Sequence, residues 1–351
     1  MTITIIYTFL IVILALLFDT KQAKGRNMYI YVVGVILFLI SGLRNLDVGP
    51  DDTFLYYQRY IENGAFSYQS VYDDSSKDPF YNLFARVLYD IIGPNYTLLL
   101  CVYSAIFMFS VCRLLIKNET EDPLLSFVIL LAMGFFSFSM TAIRQILAMS
   151  FILWAYQFLK EKKLIQFIIL VYIGSLFHRT ALFFMVVYPL IYFKLDRKSI
   201  ILYLVLGSLV LVQGEAILFQ LFASDMDARL DAYAEMGVHG LSIAGFVQLA
   251  LFLALALFYF KEVKQRDSES VILYHLLIIA MIFQLFTGIL AEFFRLAMYY
   301  SIFLILLMPK VISAIPNLQT RRSIRNWLIA LLLFYFLFMG SGRIPYHFFF
   351  N

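Results

Sequence analysis

The sequence predicts an all-α integral membrane protein, a polytopic bundle of about 11–12 transmembrane helices. Hydrophobic residues make up 62% of the 351 residues and charged residues only 14%, whereas about a quarter of the residues of a soluble domain are charged. Apolar runs close to the roughly 20 residues needed to cross the hydrocarbon layer recur along the whole chain. These observations exclude a soluble globular protein, and we treat residues 1–351 as a single transmembrane domain.

The predicted spans follow one another through polar connections. Several fall short of a full crossing, which tilt or pairing with a neighbouring helix accommodates. The spans are residues 3–18, 29–43, 96–116, 124–138, 143–159, 164–177, 181–193, 200–212, 243–260, 271–290, 294–311 and 327–339.

Lys and Arg concentrate in alternate connections, such as KEKK at 160–163 and TRRSIR at 320–325. Short basic loops of this kind face the cytoplasm. The opposite, outer face then carries two long loops, residues 44–95 and 213–242, and we expect both to be extracytoplasmic.

Each long outer loop contains one predicted helix. In the first, Asp78 and Pro79 are typical of a helix N-cap and first turn, and Gly93-Pro94 is typical of its end. This amphipathic helix is too short to span, so we expect it to lie in the membrane interface. The second loop has a helical pattern from Ser224 to Gly237, which suits either a mobile lid or an ordinary connector.

Arginine is unexpectedly frequent on the outer side. Snorkelling at the interface explains any one of these side chains. Several together favour a site for a diphosphate or another polyanion, because guanidinium groups bind phosphate oxygens bidentately. The arginines at the outer ends of predicted helices are Arg44, Arg144, Arg179, Arg295 and Arg343, and Arg229 lies in the second loop.

His178 directly precedes Arg179 on this side. A histidine at a helix end is often structural, but an imidazole exchanges a proton near neutral pH and is able to act as a general base. The sequence lacks G-x-S-x-G, H-E-x-x-H and phosphate-binding glycine motifs. With two cysteines in one span and no basic nucleic-acid surface, we expect no metal, no cofactor and no nucleic acid.

An ordered set of short motifs resembles the EpsG/Wzy family of polytopic bacterial O-antigen and exopolysaccharide polymerases. The resemblance covers about residues 30–310, and the doubled Asp51-Asp52 departs from its single acidic residue, which leaves both as candidates. The motifs are Arg44, then Gly49, Asp52, Thr53 and Tyr56, then Ala142-Ile143-Arg144-Gln145 with Leu147-Ala148, then Phe177-His178 with Ala181-Leu182, then Arg295-Leu296 with Tyr299.

The resemblance implies a GT-C-like architecture of the metal-independent type that includes the O-antigen ligases. It also implies a multi-pass protein of the bacterial inner membrane whose active site faces the periplasm or exterior. A glycan would be transferred from undecaprenyl diphosphate onto a lipid-linked repeat unit, alongside a chain-length regulator and a flippase. The lipid bilayer and the undecaprenyl-diphosphate-linked oligosaccharide are thus the expected partners.

The same resemblance assigns roles to individual residues. His178 would be the base, and Asp52 its orienting partner or a sugar ligand. Tyr57 and Tyr60, on the same helical side as Tyr56, are further candidates for stacking on sugars. The expected substrate-binding residues are Arg44, Arg144, Gln145, Arg179, Arg295, Tyr56 and Tyr299.

Two other classes of protein stay open. One is another enzyme, either an O-antigen ligase or a GT-C glycosyltransferase that moves one sugar from a polyprenyl monophosphate; the latter would depend on a metal or on the Asp51-Asp52 pair and only modestly on Arg144. The other is a lipid-linked glycan flippase or exporter, which would place charges at mid-membrane depth and contain repeated halves. The charges lie at one face and no internal repeat is found, which favours an enzyme.

Overall fold

A computed structural model describes residues 2–48, 52–73, 78–196, 198–203, 205–209, 212–213, 243–287, 293–340 and 345–350. Asp51, Arg229, Arg343 and the predicted helix 224–237 lie outside these residues, as does the side chain of Asp52. Within the described residues all regular structure is helical, apart from one isolated β-bridge between Arg44 and Phe348. The all-α prediction is confirmed.

The contacts divide the chain, treated above as one transmembrane domain, into two compact units. The first unit is Met1–Met185 with Asn317–Asn351, and the second is Val186–Pro316.

The first unit contains the helices that surround most of the predicted site residues. They are α1 (Thr2–Leu17), α2 (Ala23–Gly42), α3 (Asp52–Gly64), α4 (Tyr68–Asp73), α5 (Pro79–Ile92), α6 (Tyr96–Lys117), α7 (Pro123–Ala132), α8 (Phe135–Ser139), α9 (Ile143–Lys160), α10 (Leu164–Phe177) and the last helix of the chain, Leu318–Phe338. A 3₁₀ helix, Arg179–Val186, follows α10.

In the second unit, described helical residues also occur at 198–203 and 205–209. The other helices of this unit are α11 (Val187–Leu190), α12 (Ile243–Phe258), α13 (Phe260–Arg266), α14 (Val271–Phe286), α15 (Phe293–Ser301) and α16 (Leu304–Ala314), with a 3₁₀ turn at Ser268–Ser270. The Leu318–Phe338 helix of the first unit is therefore α17.

Among the described helices, three are long and apolar enough to cross a membrane, or up to five if each of two bent pairs is one span. The three are Ala23–Gly42, Tyr96–Lys117 and Ser268–Phe286, and the bent pairs are α12 with α13 and α15 with α16. The polytopic membrane class is confirmed. The number of about 11–12 crossings stays a prediction, because further apolar helices such as Thr2–Leu17 and Leu164–Phe177 are shorter.

Most predicted spans coincide with helices, but several are broken, among them the span at 294–311, which is divided between α15 and α16. The span at 124–138 divides at Gly134, whose φ of +77° is a conformation that only glycine adopts without strain. The span at 181–193 is mainly the 3₁₀ helix Arg179–Val186 followed by the four residues of α11. The 3₁₀ helix begins directly after His178, whose backbone is extended rather than helical.

Small residues bring α2 and α6 close together, which is how helices associate where lipid removes the hydrophobic driving force. A Cβ on Gly42 would lie 3.1 Å from the Cα of Cys101. The hydroxyls of Ser41 and Ser104 lie 2.8 Å apart. This contact fixes the end of α2, from which Arg44 extends.

The C-terminal residues pair with the segment that follows α2. The amide of Asn45 donates to the carbonyl of His347 at 2.9 Å, and the amide of Phe349 donates to that of Leu43 at 3.0 Å. The Tyr346 hydroxyl donates to the carbonyl of Ile40. The chain end is thereby attached to the backbone around Arg44.

Candidate active site

Arg144 is the second residue of α9, where the helix dipole is positive and a cation is unfavourable. Hydrogen bonds to Asp78 and Tyr56 offset this unfavourable position. Its Nη1 donates to Oδ2 of Asp78 at 3.1 Å, and its Nε donates to the hydroxyl of Tyr56 at 3.2 Å. The guanidinium also lies over the Tyr56 ring, 5.6 Å from the centroid. These contacts orient the side chain, which stays 20% exposed.

His178 reaches the same carboxylate from α10. The helix ends at Phe177, and His178 adopts an extended backbone conformation with φ of −156°. Its Nδ1 lies 3.2 Å from Oδ2 of Asp78, and its side chain is 20% exposed. The break after α10 therefore places an imidazole beside Arg144.

Asp78 is the residue that joins these elements. Its Oδ2 contacts Arg144 and His178, and its Oδ1 accepts from the backbone N–H of Arg179 at 3.3 Å. The residue is 5% exposed. A carboxylate is favourable at the N-terminus of a helix. The Asp78 carboxylate lies at the N-terminus of the 3₁₀ helix Arg179–Val186 and caps it from a distant part of the chain.

The helix start at Pro79 and the N-cap position of Asp78 are confirmed, but the Asp78 side chain does not act as the cap of α5. The Asp78 side chain makes no capping hydrogen bond to α5, and its backbone is left-handed, with φ of +51°. Aspartate tolerates this conformation better than most residues, although it costs about 1–2 kcal/mol. The tertiary ion pair prevails because it neutralises buried charge, which one local hydrogen bond does not do.

The electrostatics of Asp78 follow from this geometry. Burial raises the pKa of a carboxyl, but the hydrogen bond and charge of His178, the charge of Arg144 and the Arg179 N–H together hold the pKa of Asp78 below its usual range. The carboxylate is therefore ionised at neutral pH.

Aromatic side chains line the interior beside the cluster. The ring of Tyr56 meets that of Tyr81 edge-on, with centroids 5.7 Å apart. Phe84 of α5 meets Phe177 of α10 in the same way at 5.6 Å. Since Tyr81 and Tyr103 are buried, Arg144 and Asp78 interact against a water-poor wall, where charge interactions are stronger than in water.

Arg179 lies next to the cluster with its side chain exposed. Its guanidinium makes no ion pair with any residue that the structure describes. It is therefore available to an anionic ligand at the edge of the Asp78 cluster.

Arg44 has different surroundings from those predicted for a phosphate ligand. It is 1% exposed. Its guanidinium donates to the carbonyl of Ser41 and, at 2.7 Å, to that of Met140. This links the end of α2 to the turn before α9, a positioning contact, and direct substrate binding by Arg44 stays a prediction.

The remaining predicted residues are not part of the cluster as described. Gln145 is 2% exposed and faces the interior of the first unit. Arg295 is half-buried and Tyr299 is fully buried, both on α15 of the second unit. Asp52 is the first residue of α3. Their roles at the substrate stay predictions.

The tyrosines of α3 are not equivalent. Tyr56 is half-buried and contacts Arg144, whereas Tyr60 is 1% exposed and donates from its hydroxyl to the carbonyl of Gly93 at 2.5 Å. Tyr60 therefore has no free ring face for a sugar.

Sequence reasoning assigned Asp78 to a local cap and missed its part in the site. Its sequence signal, an aspartate before Pro79 and an apolar run, is the same as that of an ordinary N-cap. Within the described residues no group of three or more His, Cys, Asp or Glu side chains is placed to hold a metal ion.

A comparison with family models matches residues 27–349 to the model described as the EpsG family. No curated protein and no solved structure matches the chain significantly.

Proposed function

We propose, from the premise that the chain belongs to the EpsG family, that it is a polysaccharide polymerase acting at the outer face of a bacterial cytoplasmic membrane. The growing glycan leaves undecaprenyl diphosphate and is joined to a hydroxyl of a new lipid-linked repeat unit. The observation that carries this proposal is the cluster in which Asp78 holds Arg144 and His178 beside the exposed Arg179.

In this reaction the bond between C1 of the glycan and the diphosphate oxygen breaks, and its electron pair leaves with the lipid diphosphate. Guanidinium groups stabilise the charge that develops on this leaving group. Arg179 has an exposed guanidinium and Arg144 is pre-oriented by two hydrogen bonds, so both fit this task. The role of Arg295 at the diphosphate stays a prediction from the sequence.

The new bond forms between C1 and an acceptor hydroxyl, which must lose its proton. His178 is the candidate base, because its ring is partly exposed and its Nδ1 is already held by a carboxylate. A flippase would need none of this chemistry. The position of the cluster, at the first turn of α9 and the end of α10 rather than in mid-helix, favours an enzyme.

The test uses a strain whose own copy of the gene is deleted, complemented with wild type, Arg144→Ala or His178→Ala at matched membrane levels. Lipid-linked glycans are then resolved by gel electrophoresis. We expect a polymer ladder from wild type and a single repeat unit on lipid from both variants.

The chain offers matched controls. Arg59→Ala removes an exposed arginine of α3, and His347→Ala removes an exposed ring while leaving the backbone pairing of the tail intact. Both should form the ladder. Normal ladders from Arg144→Ala and His178→Ala would refute the site, and repeat units accumulating on the cytoplasmic leaflet would identify a transporter instead.

A further inference from the structure

The two nitrogens of the His178 ring have different surroundings. Nδ1 lies 3.2 Å from Oδ2 of Asp78. Nε2 has no hydrogen-bond partner among the residues that the structure describes, and the side chain is 20% exposed. One nitrogen is thus held by the protein, and the other is open to a ligand.

The carboxylate determines which nitrogen carries the proton. An ionised carboxylate only accepts hydrogen bonds, so the Nδ1 beside it must be the donor. The neutral ring then has a bare lone pair on Nε2. Asp78 is itself poorly placed to take a proton from a substrate, because it is 5% exposed and both its oxygens already accept.

We propose that Asp78 is a positioning residue that fixes His178 in the Nδ1–H tautomer, so that Nε2 faces the acceptor and receives its proton. The tautomer follows from the contacts, and the role in transfer rests on the function proposed above. When the hydroxyl oxygen bonds to C1, its proton passes to Nε2 and the electron pair of the C1–O bond leaves with the diphosphate. The imidazolium so formed stays paired with Asp78.

The same oxygen of Asp78 holds Nη1 of Arg144. One carboxylate therefore sets the distance between the base and an arginine assigned to the leaving group. Its left-handed backbone conformation, with φ of +51°, is tolerated by Asp, Asn and Gly but disfavoured for other residues. Asparagine is thus the replacement that retains shape and backbone while changing hydrogen bonding.

The direct test is NMR of protein labelled with ¹⁵N-histidine in lipid vesicles at alkaline pH, where imidazoles are neutral. The His178 signal is assigned from its loss in His178→Gln. We expect wild type to carry the proton on Nδ1, and Asp78→Asn, whose amide is able to donate to Nδ1, to carry it on Nε2. A proton on Nε2 in wild type, or the same tautomer in both proteins, would overturn the proposal.

A second test measures polymerisation kinetics in vesicles supplied with lipid-linked repeat units extracted from the deletion strain. Asp78→Asn should lower kcat by roughly 10²- to 10⁴-fold, the range that general base catalysis contributes, with about 10⁴-fold the loss known when asparagine replaces a tautomer-fixing aspartate. The KM for the repeat unit should change little, and activity should recover in part at high pH. An unchanged kcat would refute the positioning role.

Comparing His178→Gln with Asp78→Asn shows whether Asp78 positions the base or is itself the base. If His178→Gln remained active while Asp78→Asn was inactive, Asp78 itself would be the base and the proposal would fail. If the tautomers were as expected but wild type formed no polymer, the assignment of Asp78 would stand and the proposed function would fall.

Discussion

Asp78 accepts hydrogen bonds from residues 66 and 100 or more positions away in sequence. Nothing in the local sequence distinguishes this role from that of an ordinary N-cap before Pro79. The partners, by contrast, were visible as a charge on the first turn of α9 and as a histidine at the end of α10. Residues that carry unusual charge are found by composition, whereas the residue that balances them is found only from tertiary structure.

The ionisation of Asp78 predicts how the folding stability of the protein depends on pH. Because the folded-state pKa of Asp78 is below its ordinary value, its ionisation stabilises the folded state. That contribution is complete above about pH 4, the ordinary pKa of aspartate, and is lost as the pH falls through the lower folded-state value. The Tm of wild type in detergent should exceed that of Asp78→Asn at pH 5–8, and the difference should narrow below about pH 4. A difference independent of pH would contradict the ion pair.

The two hydrogen bonds of Arg144 predict that activity depends on the planar geometry of its guanidinium as well as on its charge. Arg144→Lys keeps the charge but has no planar group to reach Tyr56 and Asp78 together. We expect the rate of polymer formation to fall about 10²-fold, the usual cost of one lost charge-stabilising donor. Arg59→Lys on the exposed side of α3 is the control and should leave the rate unchanged.

Tyr56→Phe isolates the weaker of these two contacts. The ring beneath the guanidinium remains, and only the acceptor for Nε is lost. A hydrogen bond to a charged group contributes about 1.5–3 kcal/mol, so we expect a rate loss of roughly 10- to 150-fold. A loss as large as that of Arg144→Ala would mean that the hydroxyl has a role beyond orientation.

At the level of secondary-structure elements, the apolar runs and the Pro and Gly residues that bound them predicted most helices. The residues Pro79 and Gly93 bound α5 as the sequence indicated, since Gly93 takes φ of +66° directly after the helix. Of the helices in the first outer loop besides α5, α3 was anticipated only through the helical spacing of Tyr56, Tyr57 and Tyr60, and α4 was not predicted, because polar faces obscure the apolar period. The 3₁₀ helix after His178 was missed because its composition is that of a span.

The close approach of α2 and α6 predicts that added bulk at Gly42 is harmful. A valine there would place its Cβ 3.1 Å from the Cα of Cys101, so the helices must separate and shift Arg44. Gly42→Val should therefore lower both Tm and polymer formation. Ala23→Val, at the exposed start of the same helix, should lower neither, and equal effects would show that helix propensity rather than packing is responsible.

At the scale of the whole molecule, the basic loops and the site residues belong to opposite ends of the same helices. Arg26, at the start of α2, pairs with Glu119 at 3.9 Å, and Lys160, at the end of α9, donates to Asn118 at 3.1 Å. Arg44 and Arg144 lie at the other ends. The alternation predicted from Lys and Arg is thus consistent within the first unit, and the side of the membrane stays a prediction.

Cysteine labelling tests this orientation. In a background with Cys101→Ala and Cys112→Ala, a membrane-impermeant maleimide should label Arg59→Cys on intact cells. It should label Arg322→Cys only after permeabilisation, both positions being exposed. The reverse pattern would place the Asp78 cluster on the cytoplasmic side.

The central claim is that the Asp78 cluster joins glycans carried on a lipid diphosphate. Its most direct measurement uses the purified chain in proteoliposomes with lipid-linked repeat units from the deletion strain, following glycan length and free undecaprenyl diphosphate together. We predict one lipid diphosphate released for each repeat unit added, and neither event with His178→Ala. Repeat units that cross the bilayer without a new bond, or elongation without release of the diphosphate, would contradict the account.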